Sequence, residues 1–571
     1  MTQPPVNALQ CDVAIFGSGI AGLAAALVAA CEGRKVIVFE KDAQLGGTTA
    51  TSGGVLWVPG NRQAEAAGID DPLEDARRFL AGQIGAAIRP ELVEAYLASG
   101  REALDYLAER TELKFDLVAA PDYLSDADGG TTTGRALSTP NFDGRLLGAK
   151  LALVRPPKPA FMVLGGLMVG RREIPLLMRP FSSWGNFTFV CGLLARHARD
   201  RLTHARGTRL LMGNALVARA VYSALQRDVR FVTGAPLVRL LRAGGRVTGA
   251  VFRHDGVEQT VHAACAVVLA TGGMPHAAAL RERYMPAHPH RHSIANESNV
   301  GEGAQAALQV GGTIDTQMQT PSFWTPASLA RNAQGREVPF PYGHMDRGKP
   351  GAILVNRAGR RFVNESESYH EVVVAMFKAG ALPPADGAFL LCDTDFIRRY
   401  GLGLVRPAPF PLRPHIRSGY LVKGRTLEAL AQRLGVDPQG LAAEVARHNE
   451  FARTGKDLDF GKGETAFNRY NGDARGQPNP CLLPIRRGPF YALRMFPATL
   501  GSALGLRTDE NANVLDASGT PIVGLYACGN DMGSVMRGAY PGPGITLGPG
   551  LVFAYRAMRH ATHTPPQGDT P

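Results

Sequence analysis

Long apolar runs are missing from this 571-residue chain. No stretch reaches the roughly 18 uncharged apolar residues needed to span a bilayer. The nearest, Ala160 to Gly170, is too short and is bounded by Lys158 and Arg171. Cysteine is sparse. The seven are Cys11, Cys31, Cys191, Cys265, Cys392, Cys481 and Cys528, and none forms C-x-x-C. This argues against a disulfide framework or a zinc ribbon and suits reduced thiols in a cytoplasm. Basic runs are absent too. Net charge is +12, yet the cations are scattered and no aromatic-interleaved stripe accompanies them, so nucleic acid is not the expected partner. A basic balance of this kind points instead to an anionic ligand or an anionic membrane surface. No metal site is expected. His288, His290 and His292 alternate, but Pro286 and Pro289 sit among them without a supporting carboxylate, which reads as a loop. A signal peptide is not expected either, because an apolar strand follows a short polar leader. What remains is ordinary: 45% hydrophobic and 20% charged residues, in a chain long enough for two or more domains.

Against those absences stands one dense stretch, Asp12 to Lys41. Val13 to Phe16 form an apolar run suited to a buried parallel strand. Gly17, Gly19 and Gly22 then give G-x-G-x-x-G at a strand-to-helix turn. The first glycine permits the turn, the second lets backbone approach a pyrophosphate, and the third brings helix close to sheet. The Ala-rich run Leu23 to Ala30 supplies the helix, whose N–H groups and dipole favour phosphate. Val36 to Phe39 give a second strand closed by Glu40, an acid placed to accept from a ribose hydroxyl. The unit as a whole predicts a bound dinucleotide touching Gly17, Ser18, Gly19, Ala21, Gly22, Glu40 and Lys41.

Further along, Gly46, Gly47, Thr48, Thr49, Ser52, Gly53 and Gly54 form a second small-residue segment able to lie against a ring or phosphate. Leu73 to Glu109 reads as helices broken near Pro90. Gly207 to Leu211, with Val217 onward, reads as a return to the sheet, and Arg230 to Val232 and Val247 to Phe252 as hairpin strands. A buried strand, Ala266 to Ala270, runs into Thr271 and Gly272. Another, ending at Cys528, runs into Gly529, Asn530 and Asp531. Leu427 to Phe451 reads as helical, a last helix is expected over Gly548 to His560, and the Thr/Pro-rich end as a disordered tail.

The recurrence of strand-to-glycine motifs at the N-terminus, middle and C-terminus resembles the two-dinucleotide-fold flavoproteins. With Phe362-Val-Asn-Glu-Ser366, Pro489-Phe-Tyr-Ala492 and the terminal Gly-rich helix, the chain resembles the fumarate reductase/succinate dehydrogenase flavoprotein superfamily. That resemblance implies an α/β fold: a Rossmann-like FAD-binding domain (residues 1–329 and 501–571) with an inserted α+β catalytic domain (330–500). It implies FAD, contacted in addition by Ala270, Thr271, Gly272, Gly529, Asn530, Asp531, Gly544, Thr546 and Leu547. Members that bind FAD covalently use a histidine in the Gly46–Gly54 segment. This chain has none there, which implies noncovalent FAD. Dicarboxylate-reducing members carry an arginine and a histidine where this chain has Tyr540-Pro541 and Leu500-Gly-Ser-Ala-Leu504; Arg537 is the nearest cation left.

The segment Gly538-Ala-Tyr540-Pro-Gly-Pro-Gly544 resembles the 3-ketosteroid Δ1-dehydrogenases. The resemblance implies that the Tyr540 hydroxyl and Gly544 N–H bind a C3 carbonyl. Tyr369, in Arg361-Phe-Val-Asn-Glu-Ser-Glu-Ser-Tyr369, would be the base, and Tyr123, in Pro121-Asp122-Tyr123, its hydrogen-bond partner. Such phenols suit the chemistry. Making a C1–C2 double bond removes a hydride from C1 and a proton from C2, and the proton is acidic only when the ketone is polarised. Tyr470, Phe323 and Trp324, with Trp57 and Phe410, are candidate walls for a flat apolar substrate. An external quinone or dye-like acceptor would reoxidise the flavin. Rival readings are C4–C5 dehydrogenation of a 3-oxosteroid, a reductase of small unsaturated acids, and a non-catalytic FAD-binding protein. Residues 140–210 depart from the resemblance. Their mix of apolar and basic residues reads either as a lid or brace, or as a membrane-surface element.

Overall fold

The computed structural model describes residues 8–159, 162–170, 173–285, 292–332, 334–341, 346–379 and 387–563. His288, His290 and the C-terminal tail lie outside them. The central strand Leu9–Phe16 runs parallel to Val36–Glu40 on one side and to Val257–Leu269 on the other. Arg230–Thr233 extends the sheet beyond Val36–Glu40, also in parallel. Val257–Leu269 is long because it serves two partners along one edge. Its first half pairs antiparallel with Arg246–His254, and its last three residues pair parallel with Leu525–Ala527. Phe16 stands opposite Leu269, and Leu269 opposite Ala527. Three glycine-bearing turns therefore leave the sheet side by side, at the carboxyl ends where open α/β sheets bind ligands.

The Ile20–Cys31 helix is buried from Ile20 to Ala29. Its alanines leave room for two helices to pack against it, Met212–Leu225 and the terminal Leu547–His563. The run at Val217 is thus a buried helix and not a return to the sheet. A continuous apolar run has no periodicity to tell those apart. Likewise Leu427 to Phe451 is two helices, Leu427–Leu434 and Pro438–Thr454, separated by Gly435 in the left-handed region.

A second, six-stranded sheet is organised along Phe490–Ser502. The first part of this strand pairs with Ala388–Cys392 and Val422–Gly424, the last part with Ser322–Arg331. The Tyr369–Lys378 helix packs on Ser322–Arg331. Its first residue is Tyr369, and Ser368 caps it by accepting from the Glu371 amide at 3.1 Å.

Candidate active site

At the strand ends the backbone is crowded in some places and open in others. A methyl group on Gly17 (φ 109°) would sit 2.0 Å from the Ala270 carbonyl oxygen, and one on Gly22 would sit 2.0 Å from the Gly17 carbonyl oxygen. These two glycines let turn, helix and neighbouring strand interlock. A methyl on Gly19 would meet nothing nearer than Thr49 Oγ1 at 3.6 Å. Gly19 faces a cavity of ≈710 Å³ that also borders Ser18, Ala21, Glu40, Lys41, Thr48, Thr49, Ala270, Thr271, Gly272, Gly529 and Asn530. A Cβ there would fill space that a pyrophosphate needs. The donor set and the open backbone fit FAD.

Side chains fix this groove. The Glu40 carboxylate accepts from the Ser18 amide at 3.1 Å, from the Ser18 hydroxyl, and from the Asp42 amide at 3.0 Å. Burial raises its pKa. Ser18 Oγ in turn accepts from the Gly46 amide at 2.9 Å, tying the second glycine segment to the first. Asp531 accepts from the Thr271 amide, from Thr271 Oγ1 at 2.9 Å and from the Gly273 amide at 3.1 Å, and burial pushes it up to about 6. Lys41 pairs with Glu302 at 2.7 Å. The segment Ile294, Asn296, Ser298 and Asn299 also borders the cavity. Asn296 and Ser298 bond Asp42 at 2.7 and 2.5 Å. Sequence reasoning missed these residues; the polar run before Gly301 and Glu302 was the available signal. Of the residues expected to contact the dinucleotide, Gly47, Ser52, Gly53, Gly54, Gly544, Thr546 and Leu547 also line the cavity, whereas Gly22, Gly46 and Asp531 stand behind the wall as supports.

At the far end three phenols meet. Tyr123, Tyr369 and Tyr540 all border the cavity. The Tyr123 and Tyr369 hydroxyls share a 3.0 Å hydrogen bond. The Tyr123 and Tyr540 rings stack at 5.5 Å, and the Tyr369 ring stands edge-on to Tyr540 at 5.0 Å. Burial drives the phenols of Tyr123 and Tyr369 well above 10, and Tyr540 up to about 12. The Tyr123 amide donates to the Pro541 carbonyl at 2.8 Å. Asp122, pushed up to about 6 by burial, accepts from Trp57 Nε1 at 2.7 Å and Arg135 at 2.8 Å. Trp57 is thus a clamp on the Tyr123 loop. Gly544 (φ 102°) has the Val55 carbonyl oxygen where a Cβ would be, 2.6 Å away. Among the described residues its N–H donates to no backbone carbonyl. His370 stays neutral, lowered to about 3 by burial, and its Nδ1 accepts from the Trp324 amide at 3.2 Å.

Three candidate wall residues are placed elsewhere. Phe323 lies behind Tyr540 with ring centroids 5.4 Å apart, Trp324 is packed in the second-sheet core, and Tyr470 is 40% exposed. Phe323 and Trp324 occupy successive positions on one strand and fill the core on either side of it. The wall near the tyrosines is built instead from Thr325, Phe340, Tyr400, Leu402, Pro407 and Leu500, with Asp346. Phe410 does not border the cavity. Arg537 is buried and committed to Asp315, at 2.5 and 2.9 Å, so it offers nothing to a dicarboxylate. Among the described residues no group of metal-ligating side chains is present.

A family model described as "FAD binding domain" matches residues 12–547. The 4-oxocyclohex-2-ene-1-carboxylate 5-dehydrogenase of Sinomonas cyclohexanicum is 38% identical over 560 residues, 96% of this chain and 93% of that protein. The 3-oxosteroid 1-dehydrogenase of Mycobacterium tuberculosis is 34% identical over 566 residues, 96% of this chain and 98% of that one. The crystal structure of 3-ketosteroid Δ1-dehydrogenase from Sterolibacterium denitrificans, in complex with 1,4-androstadiene-3,17-dione, superposes with a TM-score of 0.89 at 32% identity. That match covers 97% of this chain and 99% of the other.

Proposed function

The chain belongs to the FAD-binding-domain flavoproteins and is an FAD-dependent dehydrogenase acting on carbon–carbon bonds; on that premise we propose that its substrate is a 3-oxosteroid, dehydrogenated at C1–C2. The observation that carries this reading is the convergence of Tyr123, Tyr369, Tyr540 and Gly544 on one cavity whose wall near the tyrosines is largely apolar, with Asp346 as its charged-type residue. We read the FAD as noncovalent, residues 1–329 and 501–571 as the parts that hold it, and 330–500 as the substrate part. Bound FAD supplies a hydride acceptor, and an external quinone-like acceptor drains it.

The protein's own residues handle the carbonyl and the proton. Tyr540 Oη and the Gly544 N–H donate to the C3 oxygen and stabilise the enolate that forms as the C2 proton leaves. Removing one such donor costs about 3 kcal/mol, roughly 100-fold or more in rate. Tyr369 Oη receives the C2 proton. Tyr123 Oη, bonded to it at 3.0 Å, holds the Tyr369 hydroxyl in place. The terminal helix begins at Leu547, just after Gly544, and directs its positive end to the same place.

The 38% identity to a dehydrogenase of an oxocyclohexene carboxylate favours a second reading, a small cyclic oxo acid. Both readings share the ketone chemistry and differ in the remote part of the substrate. A carboxylate there needs a cation. Lys41 is paired with Glu302, Lys158 bonds the Ile294 carbonyl at 2.7 Å, and Asp346 adds a carboxyl group to the wall. That balance favours the neutral steroid. The discriminating experiment is anaerobic mixing of the holoenzyme with androst-4-ene-3,17-dione or with 4-oxocyclohexanecarboxylate. The steroid should bleach the flavin and yield the 1,4-diene. Bleaching by the oxo acid alone would overturn the steroid assignment, and a C4–C5 product from a saturated 3-oxosteroid would overturn the regiochemistry.

A further inference from the structure

One carboxyl group in the cavity wall has no part in the chemistry at the ketone. Asp346 borders the cavity among Phe340, Tyr400, Leu402 and Pro407. A few polar groups on a mostly apolar wall fix how a ligand is oriented and which ligand is taken. The hydroxyl protons of this wall are already placed. Tyr400 donates to Asp473 at 2.6 Å, and Thr325 donates to the Pro326 carbonyl at 3.3 Å. Asp346 is the strong acceptor that the wall presents to a substrate.

The carboxyl is fixed in place. Among the described residues its hydrogen-bond partners are backbone amides: Arg347 N–H donates to Oδ1 at 2.9 Å and Gly403 N–H to Oδ2 at 2.9 Å. Gly403 lies in a tight loop, closed by the Leu402 and Val405 amides on each other's carbonyls at 2.8 and 3.0 Å. Leu402 and Val405 belong to the core of the second sheet, and the Leu404 amide donates to Tyr420 Oη at 3.1 Å. Supports of this kind hold a side chain in one geometry. Both carboxyl oxygens already accept, which is the pattern of a carboxylate. Burial raises the Asp346 pKa, while the two amides and the Arg347 charge act the other way. A carboxylate has further lone pairs and no proton to give, so it recognises a donor.

Asp346 also stands apart from the ketone end. Burial and the bond to Tyr369 set the pKa of Tyr540, and no carboxylate acts on it. A negative charge beside the forming enolate would oppose it, so this group serves the other end of the substrate. A ketone there would set oxygen against oxygen, whereas a hydroxyl would donate. An ammonium group would carry its charge past Phe340, Leu402 and Pro407, at a far larger desolvation cost.

We propose that Asp346 accepts a hydrogen bond from a hydroxyl on ring D, the end of the steroid remote from the ketone, and that the protein thereby selects 17-hydroxy over 17-oxo substrates. The assignment rests on the 3-oxosteroid reading above. Asp346 sets specificity and takes no part in hydride or proton transfer.

The test compares two steroids that differ at C17 alone. The holoenzyme is mixed anaerobically with 17β-hydroxyandrost-4-en-3-one or with androst-4-ene-3,17-dione, and flavin reduction is followed against steroid concentration. The hydroxysteroid should half-saturate at a concentration roughly tenfold lower, as a hydrogen bond to a charged group provides, with limiting rates alike. Asp346→Asn keeps the size and an acceptor, and offers the ring-D oxygen an N–H as well. It should bring the two half-saturation points together, mainly by weakening the hydroxysteroid, and keep the parental limiting rate. A loop that had merely loosened would weaken both steroids alike and leave their ratio standing. Equal half-saturation in the parent overturns the assignment without any variant, and so does a full preference in Asp346→Asn. Both of those outcomes leave the substrate reading intact, because the flavin is still reduced. Reduction by neither steroid would instead overturn the substrate reading, and this assignment with it.

Discussion

The hydroxyls of Tyr123 and Tyr369 meet at 3.0 Å across 246 residues of sequence. Tyr369 opens a helix on the second sheet, and Tyr123 is held by its amide to Pro541, next to Tyr540. One cluster thus joins three distant parts of the chain. Tyr369→Phe should lower the rate of flavin reduction by at least about 100-fold, the usual worth of a positioned proton acceptor. Tyr540→Phe should lose a similar factor as a carbonyl donor. Tyr123→Phe, which touches only the acceptor, should lose less than either. All three should keep the flavin absorbance of the parent. Anaerobic stopped-flow reduction measures each rate, and near-normal reduction in Tyr369→Phe would remove it from the proton-transfer role.

The phenols also set a pH dependence. Burial holds Tyr369 well above the ordinary phenol value of 10, and the nearby Tyr123 adds to it. Proton acceptance needs the deprotonated form, whose fraction grows as pH rises toward that value. The rate of flavin reduction under kcat/KM conditions should therefore climb across pH 7 to 10 without a plateau. A flat profile, or one falling above pH 8, would contradict a phenolate acceptor. His370, neutral throughout this range, contributes no limb of its own.

Sequence made some of this legible and hid the rest for physical reasons. Gly17, Gly19 and Gly22 announce themselves because backbone crowding leaves few residue types that fit, and the structure finds a carbonyl 2.0 Å from where two of the three side chains would start. The three phenols could be named only through motif resemblance, since no local pattern brings Tyr123 to Tyr369. The walls were not legible. Phe323 and Trp324 look like substrate contacts by type, but burial in a sheet core is the commoner fate of large aromatics. Residues such as Leu402 and Pro407 reach the cavity through loops whose course no periodicity encodes. Val217 misled because a fully buried helix carries no polar face to mark its turn.

Two glycine substitutions should separate cofactor binding from folding. Gly19→Val adds bulk into open cavity and leaves the strand–helix interlock alone. It should fold, with near-parental far-ultraviolet circular dichroism, and purify without flavin. Gly22→Ala forces a methyl to 2.0 Å from the Gly17 carbonyl oxygen. Overpacking of this kind costs about 1–3 kcal/mol or more. It should lower the melting temperature even with excess FAD present. The reverse outcome, a yellow Gly19→Val protein, would mean that no phosphate passes over Gly19.

A last prediction concerns the support beneath Tyr369. Glu365, four residues upstream, is fully buried. It accepts from Arg361 at 2.9 and 3.0 Å and pairs with Lys462 at 3.0 Å. Asp457 completes the cluster on Arg361 at 2.8 Å. Burial alone would raise the Glu365 pKa, but Arg361 and Lys462 outweigh it and hold the carboxyl far below the ordinary carboxylate range. A depressed pKa stabilises the fold above the unfolded value near 4.5, and that stability drains away as pH falls below it. Glu365→Gln keeps the shape and removes the charge, leaving Arg361 and Lys462 undercompensated in the interior. Breaking such a pair typically costs about 3–5 kcal/mol. The melting temperature at pH 7 should drop by several degrees, and the difference from the parent should shrink as pH is lowered from 5 toward 3, because there the unfolded parent takes up a proton at Glu365 that its folded state does not. Flavin reduction should slow in step, since Arg361 and Glu365 anchor the loop that delivers Tyr369. An unchanged melting temperature with unchanged reduction would mean that the cluster carries neither the stability nor the positioning assigned to it.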